Sequence, residues 1–350
     1  MKLKKLQANM KKEGISRVLL INLEEKPNPN FLYFTSYFGI GMYVIPQSGK
    51  PTLIVPKMES QRAKATRNKV IVYKKKPFFD SLKQYCRGKK VGLDFNVVTL
   101  SLHKAIKKAL PKRRFVDISG ICRSVRAVKS KQEINYLRKA CKIGDSILQK
   151  CFANFKRFKT EQDVNLFLIE ETRKKGCELS FMPIVASGLN AASPHHIPTK
   201  KMLKKGFCII DFGVKYNGYC SDITRTLYLG KPSKADIALY DFMLKAQKVT
   251  VAYSTKGKNC GDVFDFSVDQ LGKHADKFIH GLGHGVGLNI HELPNLKQGS
   301  DDVMENGMVL TIEPGIYFER KLGIRIEDTI LIKDNRPEIL TRTSKKLLIK

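Results

Sequence analysis

The sequence predicts two domains: a small α/β layer domain over residues 1–125 and a larger α+β domain over residues 126–350. Three observations lead there. At 350 residues the chain exceeds the size at which a single hydrophobic core keeps growing. Its first third alternates short apolar runs with helix-length amphipathic ones, as a layered sheet requires. Past residue 125 the character changes to long, capped helices with strand pairs between and after them.

Residues 2–12 read as a basic, partly amphipathic helix ended by Gly14, followed by a strand from Arg17 to Leu23. Pro27-Asn28-Pro29-Asn30 reads as a loop. Met42–Ile45 and Thr52–Val55 are strand-like runs joined by the turn-rich Pro46–Pro51. Val70–Tyr73 and Val91–Leu93 are further strands, and Pro111 stops a helix over Ser101–Leu110. No cluster of His, Cys and acidic residues falls in this part, so no chemistry is expected of it. Between Asp117 and Val128 the pattern shifts, which places the boundary at 125. Ser130-Lys131-Gln132-Glu133 is a capping box opening a long helix with Ile134, Leu137 and Cys141 on one face. Thr160 with Asp163, and Ser233 with Asp236, mark two more helix starts. A loose repeat runs through this half: two helix-plus-hairpin parts, each contributing acidic residues.

The net charge of +32 comes in short clusters such as Lys74-Lys75-Lys76, Lys112-Arg113-Arg114 and Lys200-Lys201. Such a surface attracts polyanions without sequence preference. No aromatic-interleaved basic motif accompanies it, so a solvated surface is the preferred reading. The apolar cluster Val18–Ile21 is strand-sized and no run approaches a membrane span, so no membrane contact is expected. The start lacks the apolar stretch and cleavage site of a signal peptide. Eight scattered cysteines without a Cys-x-x-Cys pair are expected to be reduced thiols in a cytoplasmic protein.

The residues that carry chemistry lie in five segments. The first, Cys208–Asp222, reads as a β-hairpin about Asn217-Gly218, a pair that accepts the positive φ of a type I′ turn. That turn sets Tyr216 opposite Tyr219, Asp211 opposite Thr224 and Gly213 opposite Asp222. Asp211 and Asp222 then share a face as diagonal neighbours, with Gly213 leaving a gap between them. Ile209, Ile210 and Val214 mark the strand as buried. Two carboxylates aimed into one buried gap repel unless a cation lies between them.

The second segment, Phe278–Glu292, sets His280, His284 and His291 among four glycines, a density that signals close approach of backbone or ligand. Thr311–Tyr317 and Ile324–Asp328 place Glu313 and Glu327 on apolar strands, with Arg325 on the Glu327 face as a candidate ion-pair mate. The last is the Ser187-Gly188-Leu189-Asn190 turn, which leads to Pro194-His195-His196. Burying four carboxylates and an imidazole on apolar strands is very costly without cations. An oxygen-rich set with one nitrogen suits two Mn²⁺, Co²⁺ or Zn²⁺ ions better than a structural zinc.

These segments resemble the motif set of the pita-bread metallopeptidases of family M24, the group of methionine aminopeptidase, aminopeptidase P and prolidase. The resemblance covers nearly the whole chain. Its amino-terminal part resembles the creatinase-type domain of prolidase and aminopeptidase P, which simple methionine aminopeptidases lack. The resemblance implies a pita-bread fold for the second domain and five metal ligands. Asp211 would chelate one ion, Asp222 and Glu327 would bridge both, His284 would bind the second, and Glu313 would bind a metal and shuttle the proton.

The metal pair would activate a water for attack on the carbonyl preceding proline, with a metal and His291 stabilising the oxyanion. His195 would contact the substrate around the scissile bond, His280 and Tyr317 would line the pocket, and Arg325 would orient acidic ligands. The expected activity is a homodimeric Xaa-Pro dipeptidase, with an Xaa-Pro aminopeptidase acting on longer peptides as the alternative. A catalytically silent pita-bread protein that binds nucleic acid is a further alternative, disfavoured because every ligand position is filled. One position departs from the family: many members carry Arg after the proline of the His-Glu-x-Pro segment, where Asn295 follows Pro294.

Overall fold

A computed structural model describes residues 2–24, 27–73, 79 and 82–350, so the Lys74-Lys75-Lys76 cluster lies outside the described residues. The chain divides into two compact units, Met1–Val125 and Arg126–Lys350.

The first unit is built on a six-stranded mixed sheet. Its strands are β1 (Arg17–Asn22), β2 (Gly41–Pro46), β3 (Thr52–Pro56), β4 (Lys69–Tyr73), β5 (Lys90–Leu93) and β6 (Arg114–Asp117), in the order β4-β3-β2-β1-β5-β6. The central run of β1 is apolar throughout because both faces are covered. Val18 and Leu20 pack with Leu6, Met10 and Phe31, while Leu19 and Ile21 pack with Met42, Val91 and Ile106. Thr99 caps the helix Leu100–Ala109 ahead of Pro111.

The expected loop at Pro27–Asn30 is instead the start of a helix, Pro29–Thr35. Asn28 accepts from the N–H groups of Asn30 and Phe31, and Pro29 occupies the first turn, where a missing N–H costs nothing. A second helix without a sequence signal in the expectations spans Ser119–Ala127.

In the second unit the three capping boxes open the helices Lys131–Ala153, Glu161–Lys174 and Lys234–Tyr253. Asn259 caps a fourth, Cys260–Leu271. The strands are β7 (Glu178–Leu179), β8 (Ile184–Ser187), β9 (Gly206–Phe212), β10 (Val214–Tyr216), β11 (Tyr219–Cys220), β12 (Ile223–Leu229), β13 (Gly283–Gly285), β14 (Glu292–Leu296), β15 (Val309–Ile312), β16 (Gly315–Phe318), β17 (Leu322–Arg325), β18 (Asp328–Leu331) and β19 (Glu338–Ile339). They form sheets ordered β12-β9-β8, β11-β10-β7, β14-β13-β15-β18-β19 and β16-β17. All eight cysteines are free and buried. Among the described residues, no helix is long and apolar enough to cross a membrane.

The hairpin has positive φ at Asn217 (49°) and Gly218 (82°), as a type I′ turn demands, and Asp211 pairs with Thr224 and Tyr216 with Tyr219. Its ladder is nevertheless broken at Gly213 and Ser221–Asp222, so the two ends of the hairpin belong to different sheets. A Cβ on Gly213 would lie 2.0 Å from the Ser221 carbonyl oxygen. Glycine stands there to let two backbones meet, and not to leave room between the aspartates as the sequence suggested.

Candidate metal centre

The site gathers side chains from two sheets and from the breaks between sheets. Asp211 projects from β9 and His284 from β13, while Asp222, Glu313 and Glu327 sit at breaks, just before β12, after β15 and before β18. The two glutamates are therefore not on strands, as expected, but where the chain steps from one sheet to another. There their backbone N–H groups bond outside the ladders, Glu313 to the Leu282 carbonyl and Glu327 to that of Thr224. One ligand atom each of Asp211, Asp222 and Glu327 lie within 4.8 Å of one another, all three buried. His284 Nε2 stands 3.6 Å from Asp222 Oδ2 and 3.5 Å from Glu313 Oε1.

Hydrogen bonds occupy one oxygen on each of three of these carboxylates. Thr224 donates to Glu327 Oε2 (2.7 Å), Thr311 donates to Glu313 Oε1 (3.2 Å), and Arg325 donates to Asp211 Oδ2 (2.7 Å). Among the described residues, Asp211 Oδ1 is buried without a hydrogen-bond partner. A carboxylate oxygen stranded in this way among other carboxylates is a place for a cation. The imidazole fits the same role, because donation from Nδ1–H of His284 to the Gly285 carbonyl (3.1 Å) leaves Nε2 with its lone pair. The residues present thus fit a divalent metal cluster.

Electrostatics in the metal-free chain agree. Burial, followed by repulsion from Glu327, Asp211 and Glu313, holds the Asp222 carboxyl well above its usual range. Burial with repulsion from Glu313 and Asp211 does the same to Glu327. The Glu313 carboxyl is pushed up to about 8, chiefly by burial. Burial, assisted by His291, pulls His284 down to about 4. Three acids that resist ionising beside a neutral imidazole are a site waiting for positive charge.

Arg325 was expected to pair with Glu327; it pairs with Asp211. The alternation rule assumed one strand through both residues, but β17 ends at Arg325 and β18 begins at Asp328. Its guanidinium also reaches Tyr317 Oη (2.8 Å), the Pro194 carbonyl (3.2 Å) and Thr224 Oγ1 (3.3 Å). Burial works against that charge, but Tyr317, Asp211 and Glu313 outweigh it and keep the group firmly protonated.

A cavity of about 300 Å³ opens onto the cluster, walled by His195, His280, His291 and Pro194 together with Phe181, Ile184 and Ile290. Tyr317 is not part of that wall. Its buried hydroxyl sits against His280 Nε2 (2.9 Å) and Arg325, and so holds the ring that is. Asn295 is exposed, pairs across the ladder with His284 and does not line the cavity. Sequence reasoning missed the apolar wall and, more consequentially, Glu161. This buried carboxylate next to a recognised cap residue binds the segment that carries His195.

Residues 135–334 match the family described as "Metallopeptidase family M24", and residues 2–128 match the "Creatinase/Prolidase N-terminal domain". The chain belongs to metallopeptidase family M24. Among M24 relatives, the Xaa-Pro dipeptidase of Pyrococcus furiosus is 34% identical, the match covering 99% of each chain. The structure of the X-Pro aminopeptidase from Thermotoga maritima aligns with a TM-score of 0.90 at 30% identity, over 98% of this chain and 100% of that one. The prolidase from Pyrococcus horikoshii OT3 aligns with a TM-score of 0.89 at 32% identity, over 99% of each. The expected fold, a creatinase-type domain followed by an M24 catalytic domain, is the one found, and the chain is a metallopeptidase.

Proposed function

We propose that this M24 metallopeptidase is an Xaa-Pro dipeptidase working with two divalent ions, Mn²⁺, Co²⁺ or Zn²⁺. The observation that carries it is the buried carboxylate set with its stranded Asp211 oxygen, in a chain matched end to end by a dipeptidase of that specificity. Asp211, Asp222, His284, Glu313 and Glu327 would hold the ions. When bound, the ions supply Lewis-acid polarisation of the scissile carbonyl and lower the pKa of water at neutral pH.

The protein's own groups do the rest. Glu313 takes the proton of the attacking water and delivers it to the imino nitrogen of the leaving proline. His291, whose pKa is lowered chiefly by partial desolvation, offers one N–H to the developing oxyanion. His195 contacts the substrate beside the scissile bond, and His280, steadied by Tyr317, shapes the wall. Arg325 keeps Asp211 aimed inward.

One observation favours the Xaa-Pro aminopeptidase reading. Among the described residues lining the cavity, Arg325 is the one Arg or Lys, and it is committed to Asp211. A dipeptide's own carboxylate then finds no dedicated cation there, whereas a longer peptide presents an amide at that point. Hydrolysis of Ala-Pro and Ala-Pro-Ala by the Mn²⁺- or Co²⁺-loaded enzyme separates the two. Faster turnover of Ala-Pro upholds the dipeptidase, a preference for the tripeptide supports the alternative, and no hydrolysis of either refutes both. The same reading carries a cytoplasmic location, to which eight unpaired buried cysteines are suited, and a homodimer, which sedimentation equilibrium tests.

A further inference from the structure

Six donors converge on the carboxylate of Glu161, the first residue of the helix Glu161–Lys174. Oε1 accepts from the backbone N–H of Ser187 (2.8 Å), the Ser187 hydroxyl (3.0 Å) and the Asn190 amide (2.8 Å). Oε2 accepts from His196 Nε2 (2.8 Å) and from the N–H (3.2 Å) and hydroxyl (3.1 Å) of Thr199. A carboxylate has about four lone-pair positions, so this one is saturated and has nothing to offer a metal. Burial opposes its charge, yet the donors from Asn190, Ser187 and His196 overcome that and keep its pKa below the usual glutamate range.

The donors are not neighbours of one another. They bracket a segment that runs from Ser187 to Thr199, and inside the bracket lie Pro194 and His195, both in the wall of the metal cavity. The middle of the segment is tied separately, by Arg325 donating to the Pro194 carbonyl. Ser187 passes the restraint outward, its hydroxyl oxygen accepting from the Lys204 N–H (3.2 Å). One side chain therefore holds both ends of the stretch that presents His195, while the guanidinium that aims Asp211 holds its centre. Helix geometry makes the anchor stiff. Glu161 stands on the first turn, behind a capping box in which Thr160 and Asp163 satisfy each other, so its backbone has little freedom to follow a moving loop.

We propose that Glu161 is a positioning residue of the peptidase, which fixes the Ser187–Thr199 segment so that His195 meets the substrate at the metal cluster. This rests on the role given to His195 above. Displacement of a catalytic-site group by about 1 Å costs on the order of 100-fold in rate, and the expected effects follow from that scale.

The test is a double-mutant cycle on the metal-loaded enzyme. Glu161→Gln preserves volume but turns one oxygen into an amide donor, so that one end of the bracket faces donor against donor. The expected result is a 10- to 100-fold fall in kcat/KM on Ala-Pro with Mn²⁺ affinity unchanged by titration calorimetry. In a His195→Ala background the same substitution should cost less than about threefold, because its route of action is gone. Thr199→Val, a milder cut at the far end of the bracket, should reproduce the pattern at roughly 3- to 10-fold and serves if the first variant does not fold.

A role confined to stability predicts otherwise. Melting would drop while kcat/KM per folded molecule stays within twofold of wild type, or the two losses would multiply in full, and either outcome overturns the proposal. If His195→Ala alone is silent, it is the substrate role of His195 that fails. If the wild-type chain cleaves no Xaa-Pro peptide, the peptidase reading fails, and hydrogen exchange decides the clamp by itself. Faster exchange at the Ser187 and Thr199 amides in the variants supports it, and unchanged protection overturns it.

Discussion

Removing the metal should make the protein lose stability as the pH rises through neutrality, against the usual trend for acidic groups. Asp222, Glu313 and Glu327 all have carboxyl pKa values raised above their ordinary range in the metal-free fold. A carboxyl raised on folding stabilises fully below its unfolded pKa, and that contribution is lost as pH climbs through the folded value. His280 and His284, both lowered to about 4 chiefly by burial, act in the opposite sense. Their contribution builds through 6.5 and is lost as pH falls towards 4. Between pH 6.5 and 8 the histidines, His291 with them, finish titrating in the unfolded chain and offset part of the change, and the three carboxyls outweigh them.

Glu313, at about 8, then accounts for roughly 2 kcal/mol over that interval, at about 1.4 kcal/mol per pH unit. For a unit the size of Arg126–Lys350 that is about 4–8 °C in melting temperature, and Asp222 and Glu327 add in the same direction. The chain has no tryptophan, so scanning calorimetry is the assay, run at half-unit steps with EDTA and with saturating Mn²⁺. In EDTA the transition should fall with pH. With Mn²⁺ the fall should vanish, since the ions hold the carboxylates ionised and their binding releases the protons. A transition in EDTA that rises from pH 6.5 to 8, or one with the same slope in both buffers, would refute the reasoning.

Other perturbations follow from the same geometry. Glu313→Gln should lower kcat on Ala-Pro by at least about 100-fold while the far-ultraviolet circular dichroism is unchanged; turnover near wild type would remove Glu313 from proton transfer. Arg325→Met strands the buried Asp211 carboxylate. It should weaken Mn²⁺ binding about 10–100-fold by calorimetry and cost about 3–5 kcal/mol of stability in urea titrations. Gly213→Ala drives a methyl against the Ser221 carbonyl oxygen, so it should cost upward of about 1–3 kcal/mol in the same titration and disturb the metal site with it.

How much of this was legible in the sequence depends on how far each interaction reaches along the chain. The capping boxes at Ser130, Thr160 and Ser233 span four residues each, and the Asn217-Gly218 turn spans two. Each was read correctly because donor, acceptor and backbone preference lie in one window. The Asp211–Thr224 pairing followed from that turn by counting. Pro29 was misread although its signal was local: Asn before Pro is a helix start as readily as a turn. Glu161 had no local signal at all. Its partners lie 26 to 38 residues away, and a glutamate behind a cap residue looks like ordinary first-turn charge.

The failures at Arg325 and at the strand positions of Glu313 and Glu327 have one cause, and it bears on how such a centre is built. Alternation by twos orders side chains only while the ladder runs on. A site whose ligands converge from more than one sheet needs the chain to leave one sheet and enter another beside the ligand, as it does at Asp222, Glu313 and Glu327. Inside a ladder, neighbours on one face point in parallel, and three carboxylates on a flat sheet would not meet at a point. The breaks therefore serve convergence. The backbone groups they release are satisfied nearby: Glu327 N–H bonds across sheets to the Thr224 carbonyl of β12, and Glu313 N–H bonds to Leu282, which extends the pairing of β13 with β15. The residues that periodicity placed wrongly are thus those whose function requires that periodicity to stop.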